Sequence, residues 1–253
     1  MSNRKAPILV IVIIVGVLSC TISTAQDTSD NSAEKMVEQT TENIKAQKGY
    51  RIKFSAVTDI PHSDSLKMEG TIAVINPDIV YVNFEGSGGQ KIKVIRKGKN
   101  ILMEDVIANE WVDPAEMGEG GVGRGIQDPE TLLDIMNKHS KNATLSNNEK
   151  VANVSCKVVD LNFKGTEIKD VLSEQPIDTN TIEWDSSSLS AKLWIGEKDL
   201  LLYKVEVAAT LISNKEEIKG KINYTAHMEI TNYNDNIGLE DVPKYAKDEL
   251  GIK

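Results

Sequence analysis

The chain has 253 residues, 26% of them charged, and a formal net charge of −9. An acidic surface repels phosphate groups, which argues against nucleic-acid binding and against electrostatic docking on anionic lipid. The length suits one domain of ordinary size, and two cysteines are too few for a disulfide framework.

The N-terminal segment has the form of an export signal. Arg4 and Lys5 precede an apolar run over residues 8–18, which is too short for a membrane-spanning helix. Small and polar residues follow the run, so we predict a signal peptide over residues 1–25. Its removal takes away two positive charges and changes the formal charge from −9 to −11.

Two processing routes are open for this signal. Ser-Thr-Ala before residue 26 suits cleavage after Ala25, whereas Val-Leu-Ser-Cys resembles a lipobox that would make Cys20 the lipidated first residue. Either route predicts an exported protein of the periplasm or cell envelope, with a polar tether over residues 26–31. Membrane contact would then come only from a Cys20 lipid anchor or from transient transfer of cargo.

The sequence pattern in the first half of the chain predicts a helix followed by an antiparallel β-meander. Ser32 or Asp30 can cap a helix with apolar residues at helical spacing, and residues 50–112 alternate between apolar and polar with short Gly, Asn, Pro or Asp turns. A glycine-rich stretch over residues 116–127 then leads to a second helix. This helix begins with Asp128 at its cap and Pro129 at its first position.

The longest alternating pattern lies in residues 190–232. From Ile218 to Ile230, apolar or small residues alternate with polar ones without interruption. Such long strands, apolar on one side, indicate a strongly curved sheet. We therefore predict an α+β fold: an open antiparallel half-barrel with two or three helices covering its concave apolar face. It forms a single domain over residues 32–245, and a charged tail follows over residues 246–253.

The residues that could carry chemistry do not form a recognisable site. Gly118, Gly120 and Gly123 have the spacing of a dinucleotide-binding fingerprint, but no βαβ unit surrounds them. The three histidines stand apart from one another and from the cysteines, so we predict no metal site and no cofactor. The sequence predicts a protein without enzymatic activity.

The order of these features resembles the LolA-like superfamily, which comprises periplasmic lipoprotein carriers and related mycobacterial cell-envelope lipid carriers. Three segments carry the resemblance: Asp-Pro-Glu-Thr-Leu-Leu at residues 128–133, the Trp-Ile-turn-Leu-Tyr-Lys hairpin at residues 194–204, and Val242-Pro243 after the long strand. The resemblance implies a half-closed β-barrel whose concave apolar face, plugged by helices, holds acyl chains.

Two interpretations of this apolar face stay open, a groove for a ligand and a solid core. A ligand chain buried in a groove would gain ~0.8 kcal/mol per methylene without any polar contact. The predicted lining consists of the inward residues of both meanders and an apolar helical lid. These residues are Ile52, Phe54, Met68, Ile72, Val74, Leu132, Ile135, Met136, Leu201, Tyr203, Val205, Ile222, Tyr224 and Met228.

The predicted function is binding of lipid, or of the acyl chains of a lipoprotein, by an exported carrier or chaperone. The alternative is an envelope sensor or interaction module that uses the same fold to bind a protein partner. A lipid tail that copurifies with the protein would favour the carrier. A tight protein partner beside an empty groove would favour the alternative.

Overall fold

The computed structural model describes residues 32–75, 77–106, 108–114, 138, 140–173, 179–235 and 237–252. Three α-helices and eleven β-strands lie within these ranges. The predicted signal peptide, the tether, Cys20 and the predicted second helix with its glycine-rich approach lie outside them.

The helices and strands follow one another in two groups. The helices are α1 (Ser32–Lys45), α2 (Thr166–Ser173) and α3 (Lys244–Glu249). The first group of strands is β1 (Gly49–Asp59), β2 (Leu66–Ile75), β3 (Ile79–Gly86), β4 (Lys91–Lys97), β5 (Asn100–Asp105) and β6 (Glu110–Val112). The second group is β7 (Ala143–Val151), β8 (Val154–Lys164), β9 (Ser188–Gly196), β10 (Leu202–Ser213) and β11 (Gly220–Thr231).

All eleven strands form one antiparallel sheet in the order β6-β5-β4-β3-β2-β1-β11-β10-β9-β8-β7. Each group is a meander of neighbouring strands, and the ladder between β1 and β11 joins the two, with Arg51 opposite Thr231. The sheet is curved and does not close, because β6 and β7 are its two free edges. This confirms the predicted α+β fold with an open, curved antiparallel sheet.

The apolar residues of both meanders meet on one side of the sheet, which we call the inner face. Even-numbered residues of β1 and of β11 point to this face, as the alternating pattern predicts. Ala33, Val37 and Ile44 of α1 and Ile168 of α2 pack there as well. We call the resulting set of buried residues the inner cluster.

The C-terminal residues pack against the opposite, outer face of the first meander. Ala246, Leu250 and Ile252 are buried there with Tyr81 and Trp111 of the sheet, in what we call the outer cluster. Residues 246–252 of the predicted charged tail are therefore docked on the sheet by their apolar side chains, while Asp248 and Glu249 between them are exposed. Lys97 fixes the end of the segment, because its Nζ donates a hydrogen bond to the carbonyl oxygen of Gly251 at 2.6 Å.

Strand β3 is buried on both sides. Val80, Val82 and Phe84 belong to the inner cluster, whereas Tyr81 between them belongs to the outer cluster. The almost wholly apolar sequence of residues 79–84 predicts a strand that is buried on both faces or borders the core, and the structure shows the first of these. The outer side of β3 is apolar because the C-terminal segment covers it.

A glycine in β2 allows two phenylalanines to meet. Gly70 lies opposite Phe54 in β1 and Phe84 in β3, and the two rings pack with their centroids 6.4 Å apart. A Cβ atom at residue 70 would lie only 2.3 Å from the carbonyl oxygen of Asn83. We expect Gly70→Ala to lower the free energy of unfolding by about 2–3 kcal/mol, because backbone must move to relieve this contact.

Urea unfolding of Gly70→Ala and Gly86→Ala would measure this effect. Gly86 is the matched control, since a Cβ atom there would meet nothing nearer than 3.8 Å. The control is expected to stay within about 0.5 kcal/mol of the unsubstituted protein. Equal urea midpoints for the two variants would show that the backbone of β3 moves aside without a measurable loss of stability.

Candidate functional site

The inner cluster brings together most of the predicted lining residues. Nine of them are buried in it, and they come from both meanders. The nine are Ile52, Phe54, Met68, Ile72, Val74, Val205, Ile222, Tyr224 and Met228. Leu132, Ile135 and Met136 lie outside the described residues.

The two remaining predicted residues lie near the start of β10. Leu201 is half-buried and packs against the margin of the inner cluster. The inward prediction for Tyr203 is wrong: its ring packs against a small cluster on the outer face, formed by Cys156, Val158 and Trp194. The pairing of β9 with β10 shifts register between Leu202 and Lys204, and the fully buried Leu202 takes the inward position.

Several inner residues were not among the predicted lining. They come from β3 to β5 and from β8 and β9, whose inward positions also alternate. They are Val80, Val82, Phe84, Ile92, Val94, Met103, Val159, Leu161, Phe163, Leu189, Leu193 and Ile195. The alternation in residues 154–163 is a signal that could have identified the β8 members.

A line of small side chains crosses the inner face at right angles to the strands. The β-ladders place Ala56 opposite Ala226, Ala226 opposite Val207, and Val207 opposite Ala191. We call these four residues the small-residue row. Four strands at ~4.8 Å spacing make the row roughly 15 Å long.

The lines of residues on either side of this row differ in size. Phe54, Met228, Val205 and Leu193 form one border, all larger, whereas the other border mixes small and large residues: Thr58, Tyr224, Ala209 and Leu189. Because side chains at alternate positions along a strand share a face, the row is a strip of shorter side chains in the apolar surface, which we call the trough. Ala56, Val207 and Ala226 in it are buried.

Polar contacts hold the C-terminal end of α1 at one end of the inner face. Asn43 donates from Nδ2 to the carbonyl oxygen of Asp199 at 2.9 Å, and Asn234 donates from Nδ2 to Oε1 of Gln47 at 2.6 Å. Beside them, the Tyr233 hydroxyl donates to the carbonyl oxygen of Leu202 at 2.5 Å. Burial raises the pKa of Tyr233 well above its ordinary value.

No protein-family model and no curated protein sequence matches this chain. Among solved structures, it is similar to the lipoprotein LppX of Mycobacterium tuberculosis, with 11% identity over 83% of this chain and 100% of that one, at a TM-score of 0.50. The protein has a LolA-like fold. At this level of identity the similarity establishes the fold alone.

Two further structures align over most of their length at lower TM-scores. LprF from Mycobacterium bovis has 11% identity and a TM-score of 0.46, covering 82% of this chain and 95% of that one. A LolA superfamily protein from Nitrosomonas europaea has 9% identity and a TM-score of 0.35, covering 84% of this chain and 98% of that one. None of the described helices is long and apolar enough to cross a membrane.

The outer face of the LolA-like sheet carries a second concave surface. An open groove of about 520 Å³ lies behind the small-residue row, lined by small, hydroxyl-bearing and charged residues of β1 and β7 to β11. An ion pair lies in it, Lys192 with Asp160 at 3.8 Å, and Nδ1 of His227 lies 3.5 Å from Oε1 of Glu206. Lys204 donates a hydrogen bond to Glu206, which holds the pKa of that carboxyl below its ordinary value.

This outer groove is polar, with charges arranged as pairs that largely neutralise each other. In the part of the chain that the structure describes, no three or more His, Cys, Asp or Glu side chains come together as metal ligands. The buried thiol of Cys156 lies beside Trp194, and burial raises its pKa. A thiol held in its neutral form behaves as a packing residue.

Proposed function

We propose that this protein binds a lipid, or the acyl chains of a lipoprotein, in the trough of its inner face and acts as a carrier or chaperone without catalysis. The trough formed by the small-residue row is the observation that carries the proposal. Its floor is apolar, its borders are apolar apart from the hydroxyls of Thr58 and Tyr224, and it is as long as a substantial part of an acyl chain. The export signal in the sequence would place this activity in the periplasm or cell envelope.

The energetics of such a site need no polar contact. Each methylene removed from water contributes about 0.8 kcal/mol, so roughly ten buried methylenes supply about 8 kcal/mol. Part of this is offset by the freedom that the chain loses on binding. Micromolar to millimolar binding of a single chain follows from those magnitudes.

Substitution of Ala226 by Phe tests this proposal. Ala226 is buried on the inner face in the middle of the small-residue row. A phenyl ring there would fill the trough, so we expect Ala226→Phe to reduce the copurifying lipid at least tenfold while the protein stays folded. The measurement is mass spectrometry of the organic extract of the purified protein, together with its urea midpoint.

The matched control is Ala208→Phe. Ala208 lies on the neighbouring strand but is exposed on the outer face, so its substitution should leave the lipid content unchanged. A solid core gives a different result: no lipid with the unsubstituted protein, and a loss of about 1–3 kcal/mol in the free energy of unfolding for Ala226→Phe. An empty interior together with a stoichiometric protein partner would favour the interaction module instead.

A further inference from the structure

Two hydroxyl groups point into the inner cluster without a hydrogen-bond partner. The side chains of Tyr224 and Thr58 are 1% and 2% exposed, and neither hydroxyl has a partner within the described residues. Leaving a buried hydroxyl unpaired costs the folding equilibrium roughly ten- to hundredfold. Two buried hydroxyls without partners on opposed residues therefore indicate a role other than packing.

The register of the central ladder makes the two residues neighbours. Thr58 in β1 lies directly opposite Tyr224 in β11, and the alternation of both strands puts the two side chains on the inner face. Directly opposed residues of an antiparallel pair have Cβ atoms roughly 5 Å apart. The two side chains therefore start from the same place on the inner face, and their hydroxyls do not bond to each other.

Small side chains lie beside this pair. Ala209 lies opposite Tyr224 on its other side, and Ala226 of the small-residue row is two residues further along β11. Tyr224 thus stands at the edge of the trough, with Ile222 as its larger neighbour along the strand. The residues around the pair are uncharged, which favours a neutral group over an ionised one.

Other buried tyrosines of this protein do not share this arrangement. Tyr233 donates its hydroxyl hydrogen to the carbonyl oxygen of Leu202, and Tyr203 donates to a carboxylate oxygen of Asp199 at 2.6 Å. Tyr81 also has an unpaired hydroxyl, but it lies in the outer cluster beneath the C-terminal segment. Tyr224 is distinguished by its place beside the trough.

We infer that Tyr224 and Thr58 form a hydrogen-bonding anchor for a neutral acceptor oxygen of the bound molecule. A carbonyl oxygen has two lone pairs and can accept from both hydroxyls at once. The ligand class that this anchor selects is an acyl ester, whose chain lies in the trough and whose carbonyl meets the pair. The inference rests on the proposed function, and it adds selection of esters over plain hydrocarbons.

The test compares two probes that differ in the carbonyl group: methyl decanoate and an n-alkane with the same number of non-hydrogen atoms. Their affinities are measured by displacement of a neutral fluorescent naphthylamine dye from the full chain, Tyr224→Phe and Thr58→Val. Each substitution removes a hydroxyl and nearly keeps the side-chain shape. We expect each to weaken ester binding roughly three- to tenfold and to leave alkane binding unchanged.

Tyr81→Phe is the matched control, because it removes a buried, unpaired hydroxyl from the other side of the sheet. It should change neither affinity, and thermal unfolding of all three variants should show that they are folded. An ester-to-alkane ratio that is the same in the unsubstituted protein, Tyr224→Phe and Thr58→Val would overturn the anchor and leave the proposed function intact. Failure of both probes to bind the unsubstituted protein would overturn both.

Discussion

Deletion of residues 237–253 is expected to abolish cooperative folding. Five large apolar residues of this segment, Ile237, Leu239, Val242, Leu250 and Ile252, are buried in the outer cluster. Burial of such a side chain contributes about 1.5–3 kcal/mol, so the segment supplies roughly 8–15 kcal/mol as an upper bound. This is as large as the whole stability of a typical domain, about 5–15 kcal/mol.

The deletion would also uncover apolar sheet residues. Tyr81, Ile95 and Trp111 would lose their cover, and three hydrogen bonds from Arg51, Lys97 and the backbone of the sheet would be lost with them. The expected observations are loss of a sigmoidal urea transition and aggregation. The matched control is Glu249→Ala, an exposed position of α3, which should change the stability by no more than about 0.5 kcal/mol.

A truncated protein that unfolds cooperatively at the original urea concentration would contradict this expectation. It would show that the C-terminal residues are an appendage, as their charged sequence predicts. Intermediate results are informative as well, because a lower midpoint with an unchanged slope gives the stabilisation that the segment contributes.

The second large expected effect is unfolding at alkaline pH. Burial raises the pKa of Tyr81, Tyr203, Tyr224 and Tyr233 above the ordinary value of about 10. Above pH 10 the unfolded chain releases these four phenolic protons and the folded chain retains them. The unfolded state then binds fewer protons, so the free energy of unfolding falls as pH rises from about 10 towards the raised pKa values.

A fully buried group of this kind changes the stability by about 1.4 kcal/mol per pH unit, so Tyr224 and Tyr233 alone remove about 3 kcal/mol per unit, and Tyr81 and Tyr203 add to this loss. The measurement is the urea midpoint across the alkaline range, followed in parallel by tyrosinate absorbance. Tyr224→Phe should reduce the dependence on pH by about 1.4 kcal/mol per unit. Tyrosinate absorbance that rises well before the unfolding transition for all tyrosines would contradict the effect.

The strand pattern made much of the fold accessible to prediction. In residues 218–230 one periodicity determines both the strand and the face of each residue, and Ile222, Tyr224 and Met228 are buried as that pattern predicts. The same reasoning assigned Tyr203 to the wrong face. A register shift in the pairing with β9 changes which residues face inward at the start of β10, so that Leu202 points inward in place of Tyr203. Such a shift depends on the partner strand and leaves no mark in a single strand's alternation.

The docking of the C-terminal segment could not be predicted because charged residues dominate its sequence. Ala246 and Leu250 are one helical turn apart and share a face of α3, but the charged residues between them dominate the composition. The two-sided apolar character of β3 was the available clue, because a strand that is apolar on both faces needs a cover on each. The sequence alone could not say which segment supplies it.

The anchor pair lay beyond sequence reasoning for a similar reason. Thr58 and Tyr224 come from opposite ends of the domain, and only the register between β1 and β11 places them side by side. The outer groove depends on the twist of six strands relative to one another, which periodicity does not determine. Both features follow from pairing at long range.

The same central ladder sets the order in which the protein can fold. During synthesis β1 emerges among the first strands, whereas its partner β11 is made last. Contacts between such distant segments carry a high entropic cost of loop closure. We therefore expect the ladder between β1 and β11 to form slowly and after the two meanders. Until then the nascent chain presents β1 as an unpaired hydrophobic edge, which makes the interval before completion the period of greatest aggregation risk and of greatest need for a chaperone.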